Sequence, residues 1–112
     1  MKLIHADKNG LTVHTDEQNP GQQYVITKDR MAFANLHFQS GSVDTAGVNG
    51  LTNEALIEIL IDRTEQLDKI VPCIENKVAL LHLNTALKAL EARAKRREAE
   101  QQAASNSAVK NG

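Results

Sequence analysis

The chain has 112 residues with 13 basic and 14 acidic side chains, for a formal net charge of −1. That length fits one small domain with appendages, and that balance gives no global footprint of nucleic-acid binding. A single cysteine, Cys73, excludes an internal disulfide and suits a reducing cytoplasm. No apolar run approaches the roughly 20 residues that span a bilayer, and the N-terminus has no signal-peptide pattern, so no membrane association is expected. Three aromatics (Tyr24, Phe33, Phe38) and no Trp promise only a small core. Self-association is the expected supplement.

Up to about Gly50, short apolar segments alternate with turn residues. "KLIHA" and "LTVHT" flank "DKNG", whose Asn9-Gly10 suits a hairpin turn because both residues tolerate positive φ. "QQYVIT" follows the turn signal "NPG". "AFANLHFQ" places Phe33, Asn35, His37 and Gln39 on one side and Ala34, Leu36 and Phe38 on the other, a period of two. The pattern predicts a small antiparallel sheet of three or four strands over residues 1–46, in which one register of the first hairpin would let His5 face His14.

Beyond Gly50 the period becomes helical. Thr52 or Asn53 can cap a helix, Glu54 suits its first turn, and no Gly or Pro follows until Pro72. Leu56, Ile59, Leu60, Arg63 and Leu67 form the expected apolar stripe. "IVPC" ends this helix, because Pro disfavours a helical conformation in the residue before it. A second helix begins near Ile74 or Glu75 and runs to or past Arg97. On it Ala79, Leu80, Leu83, Ala86, Leu87, Leu90 and Ala94 fall within an arc of about 120°, with Val78, Leu81 and Ala89 opposite. Two apolar faces exceed what one hairpin covers, which again points to partner subunits. The predicted fold is therefore α+β: an N-terminal antiparallel sheet, then a long two-helix antiparallel hairpin over 47–100 that oligomerises through its helices. Residues 101–112, "QQAASNSAVKNG", read as a disordered polar tail.

Arg93 and Arg97 are the first candidates for chemistry. Four residues apart on a helix, they stack one turn above another, about 6 Å between Cβ atoms. Two guanidinium forks so placed hold a phosphate or pyrophosphate; the ordinary alternative is a basic helix end suited to the C-terminal dipole. Asn76 offers donors and an acceptor near a helix N-terminus, enough for a ribose hydroxyl or a base edge, or is simply a first-turn Asn. The loop "GVNG" and the helix start behind it (Asn49, Gly50, Thr52, Asn53) form a possible second anion site, or a connecting loop with caps; it has no P-loop lysine and no dinucleotide spacing. Arg63 lies on the stripe as a snorkelling interface residue or a ligand contact. The four histidines show no metal-ligand spacing, and no nucleophile–base pair has supporting context, so no metal, cofactor or catalytic residue is assigned.

The block "GVNGLTNEALIEILIDR…CIENKVALLHLNTALKALEARAKRRE" resembles the helical-hairpin domain shared by phage Thoeris anti-defence proteins and anti-CBASS sponges. A "GVNG-TNEAL" opening leads there to "IDR". A "C-x-E-N" start to the second helix follows, and an "LE-R-x-x-x-R" finish. "FQSG" is similar to the segment joining the family's sheet to its hairpin, so the likeness spans roughly residues 38–98. The β region before it is similar to that of the Thoeris branch.

That resemblance implies a sponge, not an enzyme. Such a protein binds and sequesters a cyclic ADP-ribose isomer with a ribose–ribose glycosidic link (glycocyclic ADP-ribose) and starves the immune effector, acting in the cytoplasm of the infected bacterial host. Some relatives also hold cyclic tri- or dinucleotides at separate sites, and members assemble as dimers and hexamers. Carried over by motif, Asn76, Arg93 and Arg97 are ligand contacts. The family's stacking aromatic between "IDR" and "C-x-E-N" has no counterpart in "TEQLDKIVP"; Leu67 is the nearest match, with Phe38 or a partner subunit as a substitute. "CIEN" stands for the more usual "CREN" and loses a positive charge. The competing expectation is a structural or regulatory helical oligomer whose basic helix end contacts nucleic acid.

Overall fold

A computed structural model describes the backbone of residues 1–111 and the side chains of residues 1–106. Two compact units divide the chain, Met1–Thr52 and Asn53–Gly112. The loop 47–52, which the sequence assigns to the hairpin, thus packs with the β unit.

The first unit is a four-stranded antiparallel sheet of β1 (Lys2–Ala6), β2 (Thr12–Thr15), β3 (Gln23–Lys28) and β4 (Met31–His37), in the order β1-β2-β3-β4. Asp7 organises the first connection: its Oδ1 accepts from the amides of Asn9 (2.9 Å) and Leu11 (3.0 Å). Of the expected Asn-Gly pair only Gly10 takes a positive φ, at 88°. Asp16 does the same for the second connection, accepting from the Gln18 amide and the Asn19 side chain. β3 and β4 are joined by two residues, Asp29 and Arg30, both with positive φ (49° and 68°). That is the arrangement of a type I′ turn, whose twist matches the flanking strands. Neither residue is glycine, and the sequence carries no usual signal for the turn.

Period-two alternation holds in β4, where Ala34 and Leu36, and Phe38 just beyond it, are half-buried while Phe33, Asn35 and His37 are exposed. The Tyr24 and Phe38 rings meet edge to face at 5.7 Å. Both edge strands have a register shift, between Leu3 and His5 in β1 and opposite Ile26/Thr27 in β4. Ile4 and Phe33 are the extra residues, and the bulges interrupt edges that would otherwise be open to pairing. The β1 bulge also corrects the expected histidine pair. His5 lies opposite Val13, and His14 opposite Leu3.

After β4, a single helical turn α1 (Val43–Ala46) is capped by Ser42, whose Oγ accepts from the Asp44 amide at 3.2 Å. The chain then returns beside β4. Leu51 donates to the His37 carbonyl at 2.7 Å and Gln39 donates to the Leu51 carbonyl at 2.8 Å, forming a parallel bridge between Phe38 and Leu51.

The second unit is a helical hairpin of α2 (Asn53–Ile70) and α3 (Ile74–Asn111). Its most buried residues are Ile61 and Leu87, each 7% exposed. Leu80, Leu83 and Leu90 are half-buried, as the α3 periodicity predicts. On α2 the expected stripe is corrected. Ile57, Ile61, Thr64 and Asp68 are shielded, whereas Ile59 is 59% exposed and Leu60, Arg63 and Leu67 are exposed as well. Leu56 alone of that stripe is half-buried. Apolar residues at 56, 57, 59, 60 and 61 spread over an arc of about 200° at 3.6 residues per turn, wider than one buried face, so periodicity does not select which part of the arc is shielded. Residues 101–111, which the sequence reads as part of a disordered tail, continue α3. Ala, Gln, Lys and Glu are good helix formers, and no Gly or Pro intervenes before Gly112, which lies outside the described residues.

Candidate functional site

The elbow between the helices is built around Asp68. Its carboxylate accepts from the Cys73 amide at 3.1 Å and from Lys77 Nζ at 3.1 Å, across the Val71-Pro72 break. Hydrogen bonds from Lys77, then from the Cys73 amide, then from Asn76 hold this carboxyl below the ordinary aspartate range. The α2 C-terminal carbonyls are served locally, since the Val71 amide donates to Leu67 O at 3.0 Å and Asn76 Nδ2 reaches Val71 O at 3.5 Å. Asn76 is thus half-buried at the elbow, with its amide nitrogen turned toward the end of α2. The role of Asp68 was not read from the sequence. An Asp before and a Lys after the Val-Pro break is the only signal that marks it.

Arg93 and Arg97 lie on a continuous helical stretch of α3, one turn apart, and both are exposed. Among the described residues neither makes an ion pair; the one basic residue of this run that does is Arg96, 3.8 Å from Glu100. At about 1.5 Å per residue, Asn76 and Arg93 are about 26 Å apart along the same helix. One chain therefore places the two arginines together but holds Asn76 beyond the reach of a mononucleotide bound there. Arg63 and Leu67 share an exposed flank of α2, one turn apart.

The remaining candidates lie in the β unit or at its boundary, and most are occupied with structure. Gln39 Nε2 donates to the Gly47 carbonyl at 2.7 Å, and Gln39 Oε1 accepts from the Asn49 amide at 3.0 Å. Asn49 answers with a pair of bonds to the Ser40 backbone, both 2.8 Å. The glycine loop is zipped onto "FQSG", and the Asn49 amide and side chain are both committed. Gly50 packs against the Phe38 backbone. Phe38 is half-buried, its ring set against Tyr24. Thr52 precedes α2, and Asn53 is its first residue, exposed. The local geometry thus gives this loop a bracing role through named bonds, while Asn53 and Glu54 open a helix N-terminus behind it.

Among the described residues, no group of three or more His, Cys, Asp and Glu side chains is placed to hold a metal ion. Among the same residues, no helix is long and apolar enough to cross a membrane. Compared with known proteins, the chain matches no family model and no characterised sequence.

Proposed function

We propose that the protein is a sponge for cyclic nucleotide immune signals, with glycocyclic ADP-ribose as the leading ligand, which it binds and sequesters without turnover. The observation that carries this reading is the exposed pair Arg93 and Arg97, one turn apart on α3 and without an acidic partner among the described residues. Two free guanidinium forks about 6 Å apart suit the oxygens of a pyrophosphate. The resemblance of residues 38–98 to the Thoeris and CBASS sponges supplies the ligand class.

The separation of Asn76 from Arg93 adds a requirement. A ligand that touches both must lie between two copies, with their α3 helices antiparallel, so that Asn76 of one protomer approaches the arginines of the other. Ile59, Leu60, Leu67, Val78 and Leu81 are exposed on the hairpin and supply apolar surface for such an assembly. Cyclic tri- or dinucleotides, held elsewhere on the same assembly, are further ligands under this reading, and the host cytoplasm is where it would act.

The test is capture and release. Protein is incubated with glycocyclic ADP-ribose and filtered, and the free ligand is measured; the retained protein is then heated and its released ligand identified. Depletion with intact recovery supports the sponge. Depletion without recovery means degradation, and no depletion refutes the reading for this ligand. The second reading, a nucleic-acid contact, is favoured by the cluster Lys88, Arg93, Lys95, Arg96 and Arg97. It predicts binding to DNA or RNA that falls steeply with salt and ignores ligand structure.

A further inference from the structure

A cleft of about 310 Å³ lies within the β unit, between the β2–β3 connection and the chain that follows β4. That is the lower end of the volumes that small-molecule sites occupy. The Phe38 amide ties the two walls together, donating to the Gln22 carbonyl at 2.8 Å. Asp16, Asn19, Gln22, His37 and Ser40 contribute to its polar lining, and no Lys or Arg is among the lining residues.

The asparagine donors of this lining are already engaged. Asn19 Nδ2 donates to Asp16 Oδ2 at 3.0 Å, and Asn49 Nδ2 donates to the Ser40 carbonyl at 2.8 Å. A carboxylate and a backbone carbonyl only accept, so chemistry fixes which way both amides face. What remains on offer is oxygen. Asn19 Oδ1 makes no bond among the described residues, and Asp16 keeps lone pairs beyond the bonds it accepts from Asn19 and the Gln18 amide. Those same bonds hold the Asp16 carboxyl below the ordinary aspartate value, so it is charged throughout the neutral range. Gln22 goes further. Its Oε1 is closed off from solvent and has no hydrogen-bond partner among the described residues. A buried carbonyl oxygen left unpaired costs free energy that a donor would recover.

We propose that this cleft binds a small organic cation through a guanidinium or primary ammonium group, its charge against Asp16 and its N–H donors on Asn19 Oδ1 and Gln22 Oε1. The Gln22 side chain turns its oxygen to the incoming donor, and the unpaired atom is satisfied when the cation is in place. A phosphate is refused, because the wall offers it a carboxylate and no fixed cation. A bare metal ion is the poorer match, since one carboxylate in a space of this size falls short of the roughly six to eight oxygens that calcium gathers. The site is separate from the arginine pair on α3 and does not depend on the sponge reading.

The test titrates the full chain and follows its backbone amides by two-dimensional NMR. It is run at about pH 8, above the range in which histidines ordinarily carry charge, because His37 lines the cleft. The probes are n-butylguanidinium and n-butylurea, which share a shape and differ in charge, with calcium chloride beside them. Expected are saturable shifts in residues 16–23 and 37–40, with a Kd of about 1 mM for the cation and binding about tenfold weaker for the urea. Asp16→Asn should lose that preference. Gln22→Met keeps the bulk of the side chain and removes the unpaired oxygen, so it should weaken the cation about fivefold while Tm holds or rises. It remains decisive if Asp16→Asn disturbs the β2–β3 connection. Spermidine and blocked arginine, titrated in turn, tell a free polyamine from an arginine side chain as the source of the cation. Equal affinity for the two matched probes, shifts that do not saturate or lie outside the cleft, displacement of the cation by calcium, or full affinity in Gln22→Met would each overturn the site.

Discussion

Gly50 lies so close to Phe38 that a Cβ on it would stand 2.5 Å from the Phe38 carbonyl carbon and 2.6 Å from its oxygen. The neighbour is backbone, already fixed by the bridge between Phe38 and Leu51, so it has no rotamer with which to yield. Gly50→Ala is expected to lower stability by about 2 kcal/mol, read as a shift in denaturant midpoint. Gly47, with φ 71° and open space around its Cβ position, provides the comparison. Gly47→Ala meets conformational strain alone, because φ 71° with ψ 178° is a region essentially confined to glycine, and should cost about 1–3 kcal/mol. Unchanged stability in Gly50→Ala would mean that the Phe38 backbone yields and that the close approach does not restrict the position.

Asp68 makes the elbow sensitive to acid. Its carboxyl titrates below the ordinary value of 3.8 because Lys77, the Cys73 amide and Asn76 donate to its charged form. A depressed folded-state pKa contributes stability that is present above the unfolded value and lost as the pH falls through the folded one. The difference in Tm between the unaltered chain and Asp68→Asn should therefore be full above about pH 5 and shrink below the ordinary aspartate range. A difference that stayed constant down to strong acid would remove the carboxylate from the account.

The shielded face of α2 differs from its apolar flank, and mutation should separate them. Ile61→Ala, at one of the two buried apolar positions of the hairpin among the described residues, is expected to cost about 2–3 kcal/mol in denaturant unfolding. Ile59→Ala, at a position 59% exposed, should stay within about 0.5 kcal/mol for an isolated chain. If Ile59→Ala costs as much as Ile61→Ala and also makes the Tm depend on protein concentration, a second copy covers that flank.

Arg97→Ala should reduce capture of glycocyclic ADP-ribose by at least about tenfold while the helical signal in circular dichroism stays the same. Arg96→Ala is the matched control, since it removes a neighbouring charge whose partner is Glu100. A similar loss in both would indicate general electrostatic attraction instead of a two-arginine clamp.

Much of this architecture is legible in the chain because local chemistry dictates it. Asn53 begins α2 and Pro72 interrupts the helices, as capping preference and proline sterics require. Alternation in β4 survives where Ala34 and Leu36 pair with Ile26 and Tyr24 of β3 and the Phe38 ring meets Tyr24. What is not legible depends on partners remote in sequence. Asp29 and Arg30 adopt a turn that favours Asn and Gly, imposed by the pairing of β3 with β4. The bulges at Ile4 and Phe33 shift register without any glycine to announce them. For the site, Arg93 and Arg97 are found by spacing alone, but the distance to Asn76 follows only once both are seen on one unbroken helix. Asn49 and Gly50 read either as a loop for anions or as a connecting loop with caps, and the bonds that clasp the loop to Gln39 and Ser40 join residues too far apart in sequence to be foreseen.

The length of α3 has one more consequence. Its 38 residues run about 57 Å, while the 18 of α2 run about 27 Å, so the last shielded position on α3 among the described side chains, Leu90, lies about one turn before Arg93. From 91 to 106 every side chain is exposed, and that stretch is held by its own backbone bonds and intrinsic propensity. Amide exchange should accordingly be slow around Leu87 and quicken in steps through Arg93 and Arg97 toward the end of the helix. The arginine pair sits on that gradient, one turn past the anchored region. An anion bridging the two guanidinium groups would staple a turn that otherwise opens and closes on its own, and the retardation of exchange there would report its arrival.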